Sequence, residues 1–220
     1  MQATAVVPIK RFGAAKQRLS DALEPADRAL LAAAMAADVL DRLAGAELIE
    51  RVIVVSGEPE VAALAARAGV ELVEDPHDAG HSEAALIGVA AAEAKGAGAV
   101  ALLPGDCPLL DPAELDRALA ALEPNSVGVV PDRHGSGTNG LLISPPTAIR
   151  PSFGPGSRER HLLLAEQAEV GGAIAEVPSM GLDLDTGEDL RELHRQLSAG
   201  GHDLAPKTTA VIGQLAVALD

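Results

Sequence analysis

Short apolar runs rich in β-branched residues alternate along the chain with longer stretches in which Ala and Leu recur at helical spacing. The runs predict strands at residues 4–9, 51–56, 70–73, 99–103, 126–130, 141–144 and 173–177. The longer stretches predict helices at residues 25–43, 58–68, 83–95, 112–122, 158–167 and 188–197. Several runs are apolar without alternation, as strands buried on both faces are. The pattern therefore predicts an α/β fold in which helices cover both faces of a sheet.

Two of these helices have recognisable N-terminal signals. Asp111 precedes Pro112, and an acidic cap followed by proline in the first turn is a favoured helix start. Thr186 is the predicted cap of the helix at 188–197. Residues 200–220 begin with a Gly pair and end apolar, which suits a docking tail, a dimer contact or a loose terminus equally. We therefore divide the chain into a domain at residues 1–199 and a tail at 200–220 of unknown role.

The composition and the net charge exclude several classes of function for this chain. The 220 residues fit one domain of ordinary size, and the two Phe residues, Phe12 and Phe153, are too few for the aromatic platforms that bind single-stranded nucleic acid. The net charge is 17 − 32 = −15, which repels polyanions and argues against nucleic acid and membrane surfaces as partners. The single cysteine, Cys107, and an N-terminus without signal-peptide character predict a soluble cytoplasmic protein.

In an open α/β sheet, ligands bind beyond the carboxyl ends of the strands, where four loops of this chain carry candidate chemistry. The first loop follows the strand at 4–9 and holds Lys10, Arg11, Lys16 and Arg18 within nine residues. Such a group of cations suits a triphosphate, which needs several donors at once. The alternative is a solvated basic turn, and the loop lacks the pattern of a P-loop.

The second loop presents Asp106 in the segment LLPGDCPLL, after the strand at 99–103. A carboxylate there is a natural magnesium ligand, because Mg²⁺ favours one or two carboxylates together with substrate phosphate oxygens. Asp183 and Asp185 are two residues apart, which in extended chain places both carboxylates on the same side. The alternatives are a turn or helix cap for Asp106 and an N-cap partner role for Asp185. Cys107 is expected to be a packing residue and not a nucleophile.

The third and fourth loops, at residues 132–140 and 152–161, have the composition of anion-binding turns. Their small residues let backbone N–H groups approach an oxyanion, and Thr138 and Ser157 add hydroxyls. Arg158 and Arg160 are candidates to add charge. The alternative is ordinary Gly, Pro and Ser turn chemistry. The histidines have no metal-binding spacing, and no Ser-His-Asp order is evident.

Five segments taken in order, VPIKRFGAAKQRL, LLPGDCPLL, DRHGSGTNGLL, FGPGSRERH and LDLDTGEDL, resemble the guanylyltransferases that activate 2-phospholactate or phosphoenolpyruvate in deazaflavin coenzyme biosynthesis. The resemblance runs from residue 6 to about residue 197. The GDxP element alone is shared with the wider nucleotidyltransferase superfamily, whereas the basic loop joined to the third and fourth loops is narrower. The resemblance implies a single Rossmann-like nucleotidyltransferase domain, with a mostly parallel mixed sheet flanked by helices.

The resemblance also implies roles for the candidate residues. By this resemblance, the nucleotide phosphates are bound by Lys10, Arg11, Lys16 and Arg18. The phosphorylated three-carbon acid is bound by Thr138, Gly154 and Ser157. Asp106, with Asp183 or Asp185, is implied to hold magnesium, so that Lys16 and Asp106 are the implied catalytic residues. Where such proteins often carry Asn near the nucleotide, this chain has Glu83, whose carboxylate can accept from the N1–H and amino group of guanine.

The implied reaction transfers GMP from GTP to the phosphate of the acid and releases pyrophosphate, and the product passes to a downstream transferase. An ionised phosphate is already a nucleophile, so the reaction needs no catalytic base. Phosphoenolpyruvate and 2-phospholactate stay equally possible at this point, and the oligomeric state stays open. The rival enzyme is a molybdenum-cofactor nucleotidylyltransferase acting on a pterin phosphate. The alternative that is not an enzyme is a binding domain without catalytic activity. The presence of Lys16, Asp106 and Asp185 counts against it.

Overall fold

Seven strands form one sheet in the computed structural model, which describes residues 2–12, 16, 19–20, 22–77 and 80–215. They are β1 (Ala3–Pro8), β2 (Ile49–Val55), β3 (Glu71–Val73), β4 (Val100–Leu102), β5 (Ser126–Pro131), β6 (Thr138–Ser144) and β7 (Gly171–Ile174). Each overlaps a strand that the sequence predicts. The start of β7 differs from its prediction at 173–177, because this edge strand is exposed along its length and begins with two glycines, which no buried apolar run marks.

The strand order is β3-β2-β1-β4-β6-β5-β7, which confirms the mostly parallel mixed sheet. β1 pairs in parallel with β2 and β4, β2 with β3, and β5 with β7. β6 is antiparallel to both β4 and β5. As a result, the first residues of β6 lie at the same edge of the sheet as the carboxyl ends of β1 and β4.

Seven α-helices lie within the described residues. They are α1 (Pro25–Leu43), α2 (Pro59–Ala68), α3 (His81–Ala94), α4 (Pro112–Ala120), α5 (Ser157–Gln167), α6 (Gly187–Ser198) and α7 (Pro206–Gln214). Four of them begin with proline, whose fixed φ and missing N–H suit a first helical residue. The two predicted caps are confirmed: an Asp111 carboxylate oxygen accepts from the Ala113 N–H at 2.9 Å, and Thr186 forms a capping box with Asp189.

The core lies on both faces of the sheet, as the non-alternating strands predict. Along β1, Val6 packs in the cluster that contains α3, and Val7 packs in the cluster that contains α1. α3 lies so close to β1 that a Cβ at Gly88 would be 2.2 Å from Cγ1 of Val6. A third cluster joins α1, α6 and α7 through residues such as Met35, Leu193 and Ile212.

The C-terminal segment contributes α7, which the sequence analysis does not predict. The buried Asp38 of α1 accepts hydrogen bonds from the N–H groups of Lys207 at 3.2 Å and Thr208 at 2.7 Å. The N-terminus of α7 is thus held by a side chain far away in the sequence. The division of the chain at residue 199 stays a prediction, but residues 206–214 pack on α1. None of the helices in the described ranges is long and apolar enough to cross a membrane.

Candidate active site at the carboxyl edge of the sheet

A cleft of about 630 Å³ opens at the carboxyl ends of β1 and β4 and at the start of β6. All four predicted loops contribute to its wall. The predicted site residues that line it are Lys10, Lys16, Asp106, Thr138, Gly154, Ser157, Asp183 and Asp185. Lys16 and Asp185, which are 169 positions apart in the chain, therefore meet in one cleft, of a size usual for small-molecule sites.

Lys16 is the cationic centre of this cleft. Its Nζ forms an ion pair with Oδ2 of Asp106 and lies 3.3 Å from Oδ1 of Asp185, while its side chain is only 8% exposed. Burial alone would lower the pKa of the Lys16 ammonium, but the two carboxylates outweigh burial and raise it. The backbone of Lys16 has φ +57°, a left-handed conformation that costs an ordinary residue energy and is often found at functional sites. Lys16 therefore stays charged and is held at the metal-binding candidates.

Asp183 is the third carboxylate. Burial, followed by the Asp106 carboxylate, raises the pKa of Asp183, and Nδ2 of Asn139 donates a hydrogen bond to its Oδ1 at 3.2 Å. The same Asn139 amide donates to the Met180 carbonyl at 2.8 Å. Within the described part of the chain, Asp183 has no ion pair with a basic side chain. Asp183 thus adds to the site a carboxylate that no ion pair among the described residues neutralises.

The residues present fit magnesium bound together with a nucleotide. No group of three or more His, Cys, Asp or Glu side chains among the described residues is arranged to enclose a metal ion by itself. Mg²⁺, however, is usually held by one or two carboxylates, with water and substrate phosphates completing its shell. The carboxylate oxygens of Asp106, Asp183 and Asp185 line the same open cleft and provide such a site.

The opposite side of the cleft carries hydroxyl groups. The Ser157 hydroxyl, at the first residue of α5, lies 3.1 Å from that of Thr138 at the start of β6. Gly154, with φ +113°, makes the turn that leads into α5, a conformation that a side chain would strain. The positive end of the α5 dipole faces the same region, which favours an anion there.

The backbone N–H groups of the fourth loop are used differently from the sequence expectation. The Phe153 N–H donates to Oγ of Ser82 at 3.0 Å, and the Ser157 N–H donates to the Gly154 carbonyl at 3.0 Å. Similarly, the Arg158 N–H donates to the Ser136 carbonyl at 3.3 Å. Because these three donors are already engaged, the Thr138 and Ser157 hydroxyls are important among the donors that this wall can still offer.

Arg160 also differs from the expectation that it adds charge to an anion site. Its guanidinium donates to the carbonyl oxygens of Ser152 at 2.8 Å and Pro155 at 2.6 Å. Arg160 therefore stabilises the backbone of the fourth loop from the side away from the cleft.

Three predicted nucleotide-binding residues lie elsewhere or outside the described residues. Arg18 is outside them. Arg11 is exposed and lines a shallow depression beside the cleft. Glu83 is exposed on α3, where its Oε1 accepts from Arg150 at 3.0 Å, and it is not among the described residues that line the cleft. A role for Glu83 toward guanine stays a prediction. Cys107 is buried, with burial raising the pKa of its thiol, which confirms a packing role.

Two histidines belong to the site although their sequence spacing carried no signal. His81, the first residue of α3, lines the cleft, and burial lowers its pKa. His161 is fully buried behind Thr138, its Nδ1 is 3.1 Å from the Thr138 hydroxyl oxygen, and burial lowers its pKa to about 4. The Phe153 ring stands edge-on to both imidazoles, at 4.6 and 5.2 Å between ring centres. Only their positions, His161 in the predicted fourth loop and His81 just before the helix predicted at 83–95, could have indicated them.

Comparison with known proteins shows the family and the fold of this chain. Residues 3–200 match the family described as Guanylyl transferase CofC like. The chain is 42% identical to a phosphoenolpyruvate guanylyltransferase of Conexibacter woesei, over 98% of this chain and 97% of that one. It is 35% identical to a 3-phospho-D-glycerate guanylyltransferase of Phenylobacterium zucineum, over 88% and 90% of the two chains. A solved cytidylyltransferase of Leptospira borgpetersenii shares the fold, with a TM-score of 0.61, 17% identity and 99% coverage of both chains.

Proposed function

Since the chain belongs to the CofC-like guanylyl transferase family and is a nucleotidyltransferase, we propose that it transfers GMP from GTP to the phosphate of phosphoenolpyruvate and releases pyrophosphate. The observation that carries this proposal is that one cleft has two chemically different sides, each suited to an anion. Lys16 and the carboxylates form one side, and the hydroxyls of Thr138 and Ser157 form the other. Two anionic substrates that must react with each other are thereby given adjacent places.

Asp106, with Asp183 or Asp185, would hold magnesium. When bound, the ion neutralises charge on the triphosphate and on the departing pyrophosphate. Lys16 supplies a permanent positive charge beside these carboxylates, and Lys10 adds a second cation at the wall of the cleft. Electrostatic stabilisation of this kind, by groups held in place before the reaction, is a major contribution in phosphoryl transfer.

The acid is held by the second side of the cleft. Its phosphate is largely ionised near neutral pH, because the second pKa of a phosphate monoester is about 6. One of its oxygens attacks the α-phosphorus of GTP, a new P–O bond forms, and the bond from that phosphorus to the β-phosphate bridge breaks. The electron pair of the broken bond leaves with pyrophosphate. Because the attacking phosphate is already ionised, the protein does not have to remove a proton from it. Thr138, Ser157 and the N-terminus of α5 serve to orient the acid for this attack.

The choice of phosphoenolpyruvate follows the name of the relative that is 42% identical. The relative named for 3-phospho-D-glycerate makes that acid the second candidate, and 2-phospholactate is a third that differs from phosphoenolpyruvate by saturation of its carbon–carbon double bond. The product would be a guanylyl acid with a diphosphate link, used by a downstream transferase in deazaflavin coenzyme biosynthesis.

A pyrophosphate-release assay tests the proposal by crossing GTP, ATP, CTP and UTP with the three acids, with and without magnesium. We expect release with GTP and phosphoenolpyruvate and its loss on chelation. Asp106→Ala should abolish release, whereas Glu93→Gln, which changes an exposed carboxylate of α3 outside the cleft, should not. Turnover with a pterin phosphate and with none of the three acids would refute the proposal in favour of the molybdenum-cofactor class.

A further inference from the structure

A chain of hydrogen bonds runs behind the hydroxyl wall of the cleft. The Ser152 backbone N–H donates to Nε2 of His161 at 2.9 Å. On the other side of the imidazole, Nδ1 lies 3.1 Å from Oγ1 of Thr138, which lies 3.1 Å from Oγ of Ser157. The imidazole is fully buried, so it has no contact with bulk solvent.

The Ser152 N–H, the first donor in this series of hydrogen bonds, determines the tautomer of the His161 imidazole. A backbone amide can only donate, so Nε2 of His161 must be the acceptor and carries no hydrogen. The single hydrogen of the neutral ring is then on Nδ1, which donates to the Thr138 hydroxyl oxygen. The lowered pKa of His161, caused by burial and then by the neighbouring Arg160, keeps the ring in this neutral form at physiological pH.

The tautomer in turn sets what the hydroxyl pair can offer to a ligand. With Nδ1 as donor, the two hydroxyls of Thr138 and Ser157 use one of their hydrogens in the bond between them. The other hydrogen is left for the cleft, whichever hydroxyl donates to the other. With the opposite tautomer, Thr138 would donate to Nδ1 and Ser157 to Thr138, so both hydrogens would be used. The pair would then present only lone pairs to the cleft, which repel an anion.

We propose that His161 is a positioning residue that makes the Thr138–Ser157 pair a hydrogen-bond donor toward the anionic group of the acid substrate. The identity of that ligand rests on the proposed function. The direction of the hydrogen bonds follows from the Ser152 amide alone. The engagement of several N–H groups of the same loop within the protein adds weight, since it reduces the number of other donors.

The kinetic test uses two substitutions that each retain one half of the imidazole. His161→Asn keeps a donor near the position of Nδ1, and His161→Gln keeps an acceptor near the position of Nε2. We expect His161→Gln to raise the KM for the acid about tenfold to a hundredfold, as for one lost hydrogen bond to a charged group, with the KM for GTP unchanged. His161→Asn should recover part of that affinity. Equal increases in both KM values would overturn the proposal.

A double-mutant cycle separates positioning from general packing. Thr138→Val removes the hydroxyl with little change of shape, so His161→Gln in this background should not raise the KM for the acid further. Additive effects would show that His161 acts without Thr138 and would contradict the proposal.

A spectroscopic test on the wild-type protein depends neither on turnover nor on the folding of a variant. Nitrogen-15 NMR of labelled histidine side chains distinguishes a ring nitrogen that carries hydrogen from one that does not. We expect a neutral His161 with hydrogen on Nδ1, its signal assigned by its contacts to Thr138. Hydrogen on Nε2, or a charged ring at pH 7, would overturn the inference. If no three-carbon acid supports turnover, the proposed function fails while this measurement still decides the hydrogen-bond direction.

Discussion

Replacing Lys16 by methionine should separate its catalytic charge from its structural contacts. The attraction between charges 3.3 Å apart, as for Lys16 Nζ and Asp185 Oδ1, is about 5 kcal/mol at an effective dielectric constant of about 20. Half of the Asp185 side chain is exposed, and burying the ammonium costs energy, so we expect a net loss of only about 1–3 kcal/mol in the free energy of unfolding. Removing a preorganised electrostatic donor should instead lower kcat about 100- to 1000-fold.

The same substitution has an opposite effect on metal binding. Lys16 neutralises Asp106 and Asp185, so it competes with any cation for these oxygens. We therefore expect Lys16→Met to bind Mn²⁺, used as a probe for Mg²⁺, more tightly than the wild type in the absence of nucleotide. Electron paramagnetic resonance measures the free ion, and pyrophosphate release with thermal unfolding measures turnover and stability. Lys95→Met, which removes an exposed ion pair with Glu71, is the matched control.

Two results would refute this reasoning. Turnover within tenfold of the wild type would show that the Lys16 charge does not stabilise the transferring phosphate. Unchanged or weaker Mn²⁺ binding would show that the carboxylates paired with Lys16 are not the metal-binding oxygens.

Three further predictions concern other parts of the molecule. Asp106→Ala and Asp185→Ala should each abolish pyrophosphate release while leaving the protein folded, with a loss of about 1–3 kcal/mol in the free energy of unfolding because each removes a partner of Lys16; near-normal turnover at saturating magnesium would contradict the metal assignment. Ser157→Ala should raise the KM for the acid about tenfold to a hundredfold and the KM for GTP far less, and a selective effect on GTP would mean that the two anion sites are exchanged. Asp38→Ala should cost about 2 kcal/mol in chemical denaturation, since two N–H groups at the start of α7 lose their acceptor, and a change below about 0.5 kcal/mol would contradict that role.

The elements of the fold were predictable where they bury continuous apolar stretches, and not where they depend on distant residues. β1 and β4 are buried on both faces, so their apolar runs mark them in the sequence. α7 has a short and weakly amphipathic sequence, and its first turn is held by Asp38, about 170 residues earlier. No local pattern contains that partner. The exposed β7 likewise follows from pairing with β5 and not from its own composition.

The candidate site shows the same limit at the level of side chains. The loops that carry Lys16 and Asp106 were predictable because parallel strands end at one edge of a sheet, whereas the segment that carries Ser157 follows the antiparallel β6. The ion pair between Lys16 and Asp106 was not, because 90 residues separate them. Spacing also gave no means to tell that Arg160 faces the loop backbone, or that His161 supports Thr138 from behind. Charge and residue type indicate what a loop can bind, whereas packing decides the direction in which each side chain points.

The orientation of β6 connects these observations. Leu102 of β4 pairs with Leu141 of β6 in antiparallel register, so β4 leads forward to Asp106 while β6 begins three residues earlier at Thr138. A parallel β6 would have placed Thr138 at the opposite edge of the sheet. Adjacent side chains of a strand point to opposite sides, and here Thr138 contacts Ser157 while Asn139 contacts Asp183. One antiparallel strand in an otherwise mostly parallel sheet therefore joins the proposed acid site to the proposed metal site.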